Sequence, residues 1–172
     1  MRLRSEQGFG LIELLMAMVM LNIGILAVVG AFSSGMFALN RASKATTAAA
    51  LADSQMELYR ALTYPAIALD TTSLAGVDNT YKCDSALGAS CPNVTSGEVT
   101  ATCSSPLPNE CIASRSAVGA DRKKYRVDTY ITTTTPTGGR PLKLVTVVVR
   151  DGNKLSARAL ARVGSTFDQS TG

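Results

Sequence analysis

The chain has 172 residues, 46% of them apolar and 17% charged, with a formal net charge of +4. One domain of ordinary size fits that length. The absence of histidine excludes Ser/His/Asp and Cys/His catalysis, His-ligated metal sites and His-bound haem together. From Leu14 to Asn40 no side chain is charged, so a membrane-length apolar segment is joined to a more polar body, which argues against a wholly soluble enzyme.

The chain opens MRLRSEQG and continues FGLIELLMAMVMLNIGILAVVGAFSSGMFALN. Arg2 and Arg4 precede the apolar run, and such a positive patch is held on the cytoplasmic side of a membrane. The run exceeds the ~20 residues needed to span a bilayer as a helix. It is also longer than the ~7–15 apolar residues of a secretory signal, and no small-x-small cleavage site follows it. It reads as an anchor with its N-terminus in the cytoplasm and the body outside. Glu13 breaks the pattern, because a carboxylate within a membrane costs about 2.5–3.5 kcal/mol at the bilayer centre and needs a partner. The candidates are Arg4 or a new amino group created by cleavage.

Gly8-Phe9-Gly10-Leu11-Ile12-Glu13 resembles the class III signal of type IV prepilins and type II secretion pseudopilins. That signal is a short basic leader ending in Gly, then Phe, a small residue, two aliphatics and Glu, then a long apolar helix. The family usually has Thr where this chain has Gly10, and often Pro where it has Gly30. The resemblance implies that a prepilin peptidase cuts between Gly8 and Phe9 and N-methylates Phe9, and that the helix is kept. The cationic amine of Phe9 on one subunit could then neutralise Glu13 on another. A buried carboxylate is tolerated when paired and strongly unfavourable when its partner is removed, so Glu13 would set register during assembly. Asn22, Gly24 and Gly30 weaken the helix locally, each glycine by up to ~1 kcal/mol relative to alanine. That weakening fits either local melting in a filament or small-residue packing in the membrane.

After Leu39 the chain becomes amphipathic without a helix breaker until Pro65. Ala48, Leu51, Ala52, Leu58, Tyr59 and Leu62 are predicted on one face, and Asp53, Glu57 and Arg60 on another. The run LADSQMELYRAL is similar to the corresponding segment of PilV-type minor pilins and minor pseudopilins.

Residues 65–123 are rich in Ser, Thr, Gly, Pro, Asn and Asp and read as turns with one or two short strands, such as Glu98–Cys103. Cys83, Cys91, Cys103 and Cys111 are spaced C-x7-C-x11-C-x7-C. An even count in an oxidising compartment suggests two disulfides, with three possible connectivities. The equal loops favour Cys83–Cys91 with Cys103–Cys111, each contributing about 2–3 kcal/mol by loop closure. The spacing suits neither zinc nor Cys-x-x-Cys redox chemistry. No cofactor or metal is expected.

From Lys124 the period becomes two. Tyr125, Val127, Thr129 and Ile131 alternate with Arg126, Asp128 and Tyr130. A β-branched run from Leu142 to Val149 follows, then an Asp151-Gly152-Asn153 turn. A last strand alternates Leu155, Ala157, Ala159, Ala161 and Val163 with Ser156, Arg158, Leu160 and Arg162. One sheet face should pack on the apolar stripe of the helix, and the tail from Gly164 should fray. Residues 115–162 carry eleven Lys/Arg and three Asp. Arg122, Lys123, Lys124 and Arg126 thus form a candidate patch for DNA or another anionic partner. The same charges could equally be the solvent face of the sheet or a contact for acidic subunits.

The expected fold is α+β and type IV pilin-like, a long N-terminal helix packed on a C-terminal antiparallel sheet of about three or four strands. Its parts are a cleaved leader (1–8), a transmembrane or filament-core helix (9–39), an amphipathic extension (40–64), a variable insert with two disulfides (65–123), a sheet (124–163) and a flexible tail (164–172). The resemblance implies a structural, non-enzymatic subunit. It would be inserted in a bacterial inner membrane and then moved into an extracytoplasmic filament by an assembly platform and its ATPase, beside other pilins or pseudopilins. Type IV pilus, type II secretion and DNA uptake remain alternative settings.

Overall fold

A computed structural model describes residues 10–88, 91, 97–153 and 158–171. Leu155, Ser156 and Ala157, expected at the start of the last strand, lie outside the described residues. The chain divides into two compact units at Ala42/Ser43.

Helix α1 spans Leu11–Arg60. In the first unit it is exposed throughout, as at Leu11 (80%) and Phe37 (77%). It is long and apolar enough to cross a membrane. It stays unbroken through Gly24 and Gly30. Its end at Arg60, rather than the expected Tyr64, has a local cause. Pro65 lacks the N–H that would continue the helical ladder, so Thr63 turns extended and Pro65 enters a short 3₁₀ turn, Tyr64–Ala66.

The second unit holds a four-stranded antiparallel sheet in the order β3-β4-β5-β6. The strands are β3 Ser114–Val118, β4 Lys124–Thr134, β5 Leu142–Asp151 and β6 Ala159–Phe167. Two boundaries differ from expectation. The sheet begins at Ser114, inside the segment expected to be loop-rich, because β3 takes the edge of β4 opposite residues 124–128. It also continues past Gly164, because β5 is long enough to offer backbone partners as far as Lys143↔Phe167. Ladder hydrogen bonds are made by the backbone, so small polar side chains do not prevent this.

The insert adds β1 (Leu69–Asp70) and β2 (Thr100–Ala101), paired in parallel, and two short helices, α2 (Thr71–Ala75) and α3 (Asn79–Lys82). Each helix starts at an aspartate whose carboxylate accepts backbone N–H groups. Asp70 takes Thr72 and Ser73, and Asp78 takes Tyr81. Such caps satisfy otherwise orphaned donors. Glu98 bridges to Thr132, and Val99 N–H donates to Ile131 O at 2.8 Å. The insert thereby completes the edge of β4 beyond β3.

The core contains Ala48, Ala52, Met56 and Tyr59 of α1 with Val127, Val147 and Val149 of the sheet. Within α1 the buried face is Ala48, Ala52, Gln55, Met56 and Tyr59. Leu58, expected inside, is exposed, whereas Gln55 is wholly buried. The opposite sheet face is covered as well: Asp128 and Tyr130 are buried, and the Tyr130 ring stacks on Tyr81 of α3 with centroids 4.2 Å apart. The turn between β3 and β4 packs against α1, and a Cβ at Gly119 would lie 2.4 Å from Thr47 Cγ2, so only glycine fits there.

Candidate assembly site on the N-terminal helix

Three polar side chains of the first unit are satisfied within the helix. Asn22 Nδ2 donates to Met18 O at 2.9 Å, Ser33 Oγ to Val29 O at 3.0 Å and Asn40 Nδ2 to Met36 O at 3.2 Å. Each side chain folds back one turn onto a carbonyl, which is how a helix carries polar groups where water is absent. Glu13 has no such recourse, because a carboxylate only accepts and every carbonyl within reach is an acceptor too. It lies in the first turn of α1, where the helix dipole favours negative charge. Its own N–H donates to Gly10 O at 3.0 Å. Its side chain is exposed, and among the described residues no cation pairs with it. The site therefore comprises one carboxylate on an otherwise apolar cylinder, able to accept an ammonium from outside the helix. Gly8 and Phe9 lie outside the described residues.

The residues of the candidate basic patch differ in how far nearby carboxylates engage them. Arg126 grips Asp78 with both terminal nitrogens, at 2.5 and 2.7 Å, and donates from Nε to Asp128 Oδ1 at 2.7 Å. The Arg126 hydrogen bond holds the Asp78 carboxyl below its usual range. Lys123 Nζ lies 3.6 Å from Asp121 Oδ2. Arg122 occupies the left-handed region, with φ 59°, at the tip of the turn, and Lys124 is exposed. Other cations of the basic half are also turned inward. Lys143 is buried and donates to Tyr64 O and Ile67 O, both at 2.7 Å, while its ammonium sits 4.6 Å from the Tyr64 ring centroid. Arg115 donates from Nε and Nη2 to Gln55 Oε1 at 3.0 and 2.7 Å.

Sequence reasoning missed the charged layer between insert and sheet. Asp84 is buried and accepts from both Arg150 and Arg162. Arg150 Nε in turn lies 3.6 Å from Asp128 Oδ2. Burial pushes the Asp128 carboxyl up, against the pull of Ser114 Oγ and Arg126. Nearby, Tyr81 Oη lies 2.6 Å from both Glu98 Oε1 and Thr129 O. One hydroxyl proton cannot serve two acceptors. A protonated Glu98 that donates to Tyr81 Oη frees the tyrosine proton for the carbonyl, and burial pushes the Glu98 carboxyl up to about 7. The alternation of charged and apolar residues along β4 was visible, but it resembles a solvent face until a second layer is known to cover it.

Disulfides join Cys83 to Cys91 and Cys103 to Cys111. The second lies beside Asp70, whose carboxylate also accepts Cys103 N–H at 3.2 Å.

Residues 3–29 match the family model described as the prokaryotic N-terminal methylation motif. Neither the curated proteins nor the solved structures contain a match. The matched segment includes Gly8, Phe9 and Glu13 and runs into the apolar helix. That signal and helix fit anchoring in an inner membrane. The motif at residues 3–29 supports a type IV prepilin-like family, and the long N-terminal helix packed on an antiparallel sheet is consistent with a pilin-like fold.

Proposed function

We propose that the protein is a minor pilin, a structural subunit of a type IV pilus-type filament or of its tip or initiation complex. Prepilin peptidase cuts between Gly8 and Phe9 and methylates the Phe9 amine. The retained helix leaves the inner membrane, with its N-terminus cytoplasmic and its head outside, for a filament of other pilins built by an inner-membrane platform and its ATPase. The observation that carries this reading is Glu13, a carboxylate without a cation partner among the described residues, on an exposed apolar helical segment where Asn22, Ser33 and Asn40 bond back to the helix itself. In a filament core the new Phe9 ammonium of a neighbour removes the cost of burying it. The match at residues 3–29 supports the processing step.

Two mutants separate processing from assembly. Gly8→Ala leaves the leader uncut, so the intact mass of the membrane-extracted protein retains residues 1–8; a mature mass in this variant would remove the processing step. Glu13→Leu is cut and inserted normally, yet its recovery in sheared filaments falls at least tenfold. Wild-type recovery would remove the carboxylate from assembly. A role as a type II secretion pseudopilin shares every one of these features. DNA uptake through the head is less well supported, because Arg126 of the basic patch is engaged by Asp78 and Asp128.

A further inference from the structure

A cleft of about 580 Å³ opens on the second unit, away from the helix face of the sheet. Its walls come from α3 and the turn after it (Asn79, Asp84, Ser85), from β5 (Arg150), from Arg158 just before β6 and from Arg162 within it. Three guanidinium groups therefore converge on a space that holds one carboxylate, Asp84.

The three arginines are not equivalent. Arg150 is 5% exposed and spends Nη2 on Asp84; its Nε lies 3.6 Å from Asp128 Oδ2, too far for a hydrogen bond, and its buried Nη1 has no hydrogen-bond partner among the described residues. Buried, unpaired donors on a charged group are strongly unfavourable. Arg162 reaches Asp84 through Nη2 alone, at 2.7 and 2.8 Å, and its side chain remains 38% exposed. Arg158 is exposed and makes no ion pair among the described residues. Arg150 and Arg162 thus face two carboxylates, Asp84 and Asp128, and the uncompensated positive charge of the cleft is that of the exposed Arg158.

We propose that this cleft is a phosphate-binding site, with Arg150 as its fixed floor and Arg158 and Arg162 as the clamps that close on the anion. A planar carboxylate is satisfied by one or two guanidinium forks. A tetrahedral phosphate presents acceptors in several directions, which suits guanidinium groups arriving from β5, from β6 and from the residue before β6. The anion supplies the countercharge that Arg158 lacks among the described residues. The cleft has room for a group attached to the phosphate, so a free ion and a phosphate ester share this chemistry. The site is separate from Glu13 and does not depend on the filament reading.

The test uses the full chain in neutral detergent. Titration with inorganic phosphate, against sodium chloride at matched ionic strength, gives saturable heat by calorimetry. At ten times Kd the melting temperature rises by about 3–5 °C. Arg158→Gln, an exposed position whose loss does not disturb the fold, weakens phosphate binding about tenfold. Lys123→Gln, a comparable loss of charge elsewhere, changes nothing. Glucose 6-phosphate binding more tightly than inorganic phosphate identifies the ligand class as an ester; equal or weaker binding identifies the free ion. The proposal is overturned if phosphate acts no differently from chloride, if succinate binds as well as phosphate, or if Arg158→Gln binds as the wild type does.

Discussion

The two units of this protein hold polar groups by opposite means. In residues 11–42 Asn22, Ser33 and Asn40 bond to carbonyls one turn back along the same helix. In residues 43–171, beside local caps such as Asp70 and Asp78, side chains also bond across long stretches of sequence, as in Lys44 Nζ to Asp151 Oδ2 at 2.7 Å, Tyr59 Oη to Glu110 O at 2.6 Å and Gln55 Nε2 to Asn109 O at 3.1 Å. A unit satisfied locally has no need of a particular tertiary neighbour, so it can exchange one apolar surrounding for another. A unit satisfied at long range is committed to one fold. The proposed function, a subunit that moves from lipid into a polymer, needs both kinds, the first to be transferred and the second to survive transfer unchanged.

Substitutions in each unit test that contrast. The largest effect is expected from Asp84→Ala, which leaves Arg150 and Arg162 without their shared carboxylate. Breaking a buried pair from one side costs about 3–5 kcal/mol, to be read from urea unfolding of the detergent-solubilised full chain by the tyrosine near-ultraviolet signal. A cost below 1 kcal/mol would mean that the layer between insert and sheet is not what commits the head.

Glu98 gives an effect of about 3 kcal/mol with a pH signature. Its carboxyl is raised in the folded state from 4.5 to about 7. A raised acid binds its proton more tightly folded than unfolded, so its stabilisation is fully present below pH ~4.5 and is lost as pH rises to about 7. Glu98→Gln keeps the shape of the protonated form and removes this dependence. The mutant and wild type should have equal stability near pH 4.5, with the mutant increasingly favoured toward pH 8. Parallel pH curves would show that Glu98 is charged throughout.

Tyr59→Phe is a smaller change. It removes the hydroxyl that donates to Glu110 O and should lower stability by about 1–2 kcal/mol in the same unfolding measurement. Asn22→Ala is the smallest, because its bond lies within one turn of an exposed helix. It should leave the melting of the head within about 0.5 kcal/mol of wild type. A larger shift would mean that the first unit does contribute to the fold of the second.

Much of the chain was legible from residue order. The class III signal, the apolar helix, the amphipathic extension and the β-period from Lys124 onward all depend on neighbours close in sequence. The errors lie where they do not. Leu58 and Gln55 sit near the edge of the same helical face, and hydropathy favours burying Leu58. The structure buries Gln55 instead because Arg115 and the Asn109 carbonyl, both distant in sequence, complete its hydrogen bonds. The cations of β4 and β5 read as a solvent face because nothing local announces that α3 and Asp84 cover them. Asp70 and Asp78 did carry a readable cap signal for α2 and α3, hidden by the turn-rich composition around them.

By itself, then, the amino-acid order determined where the chain is apolar for longer than a bilayer, where a lone carboxylate interrupts it and where the strands alternate. These are consequences of fixed helical and strand periods. Tertiary structure alone decided which charges are buried, which arginines face a cleft and which sheet face is covered. A charge can be buried only where a partner compensates it, and here the partners lie tens of residues away along the chain.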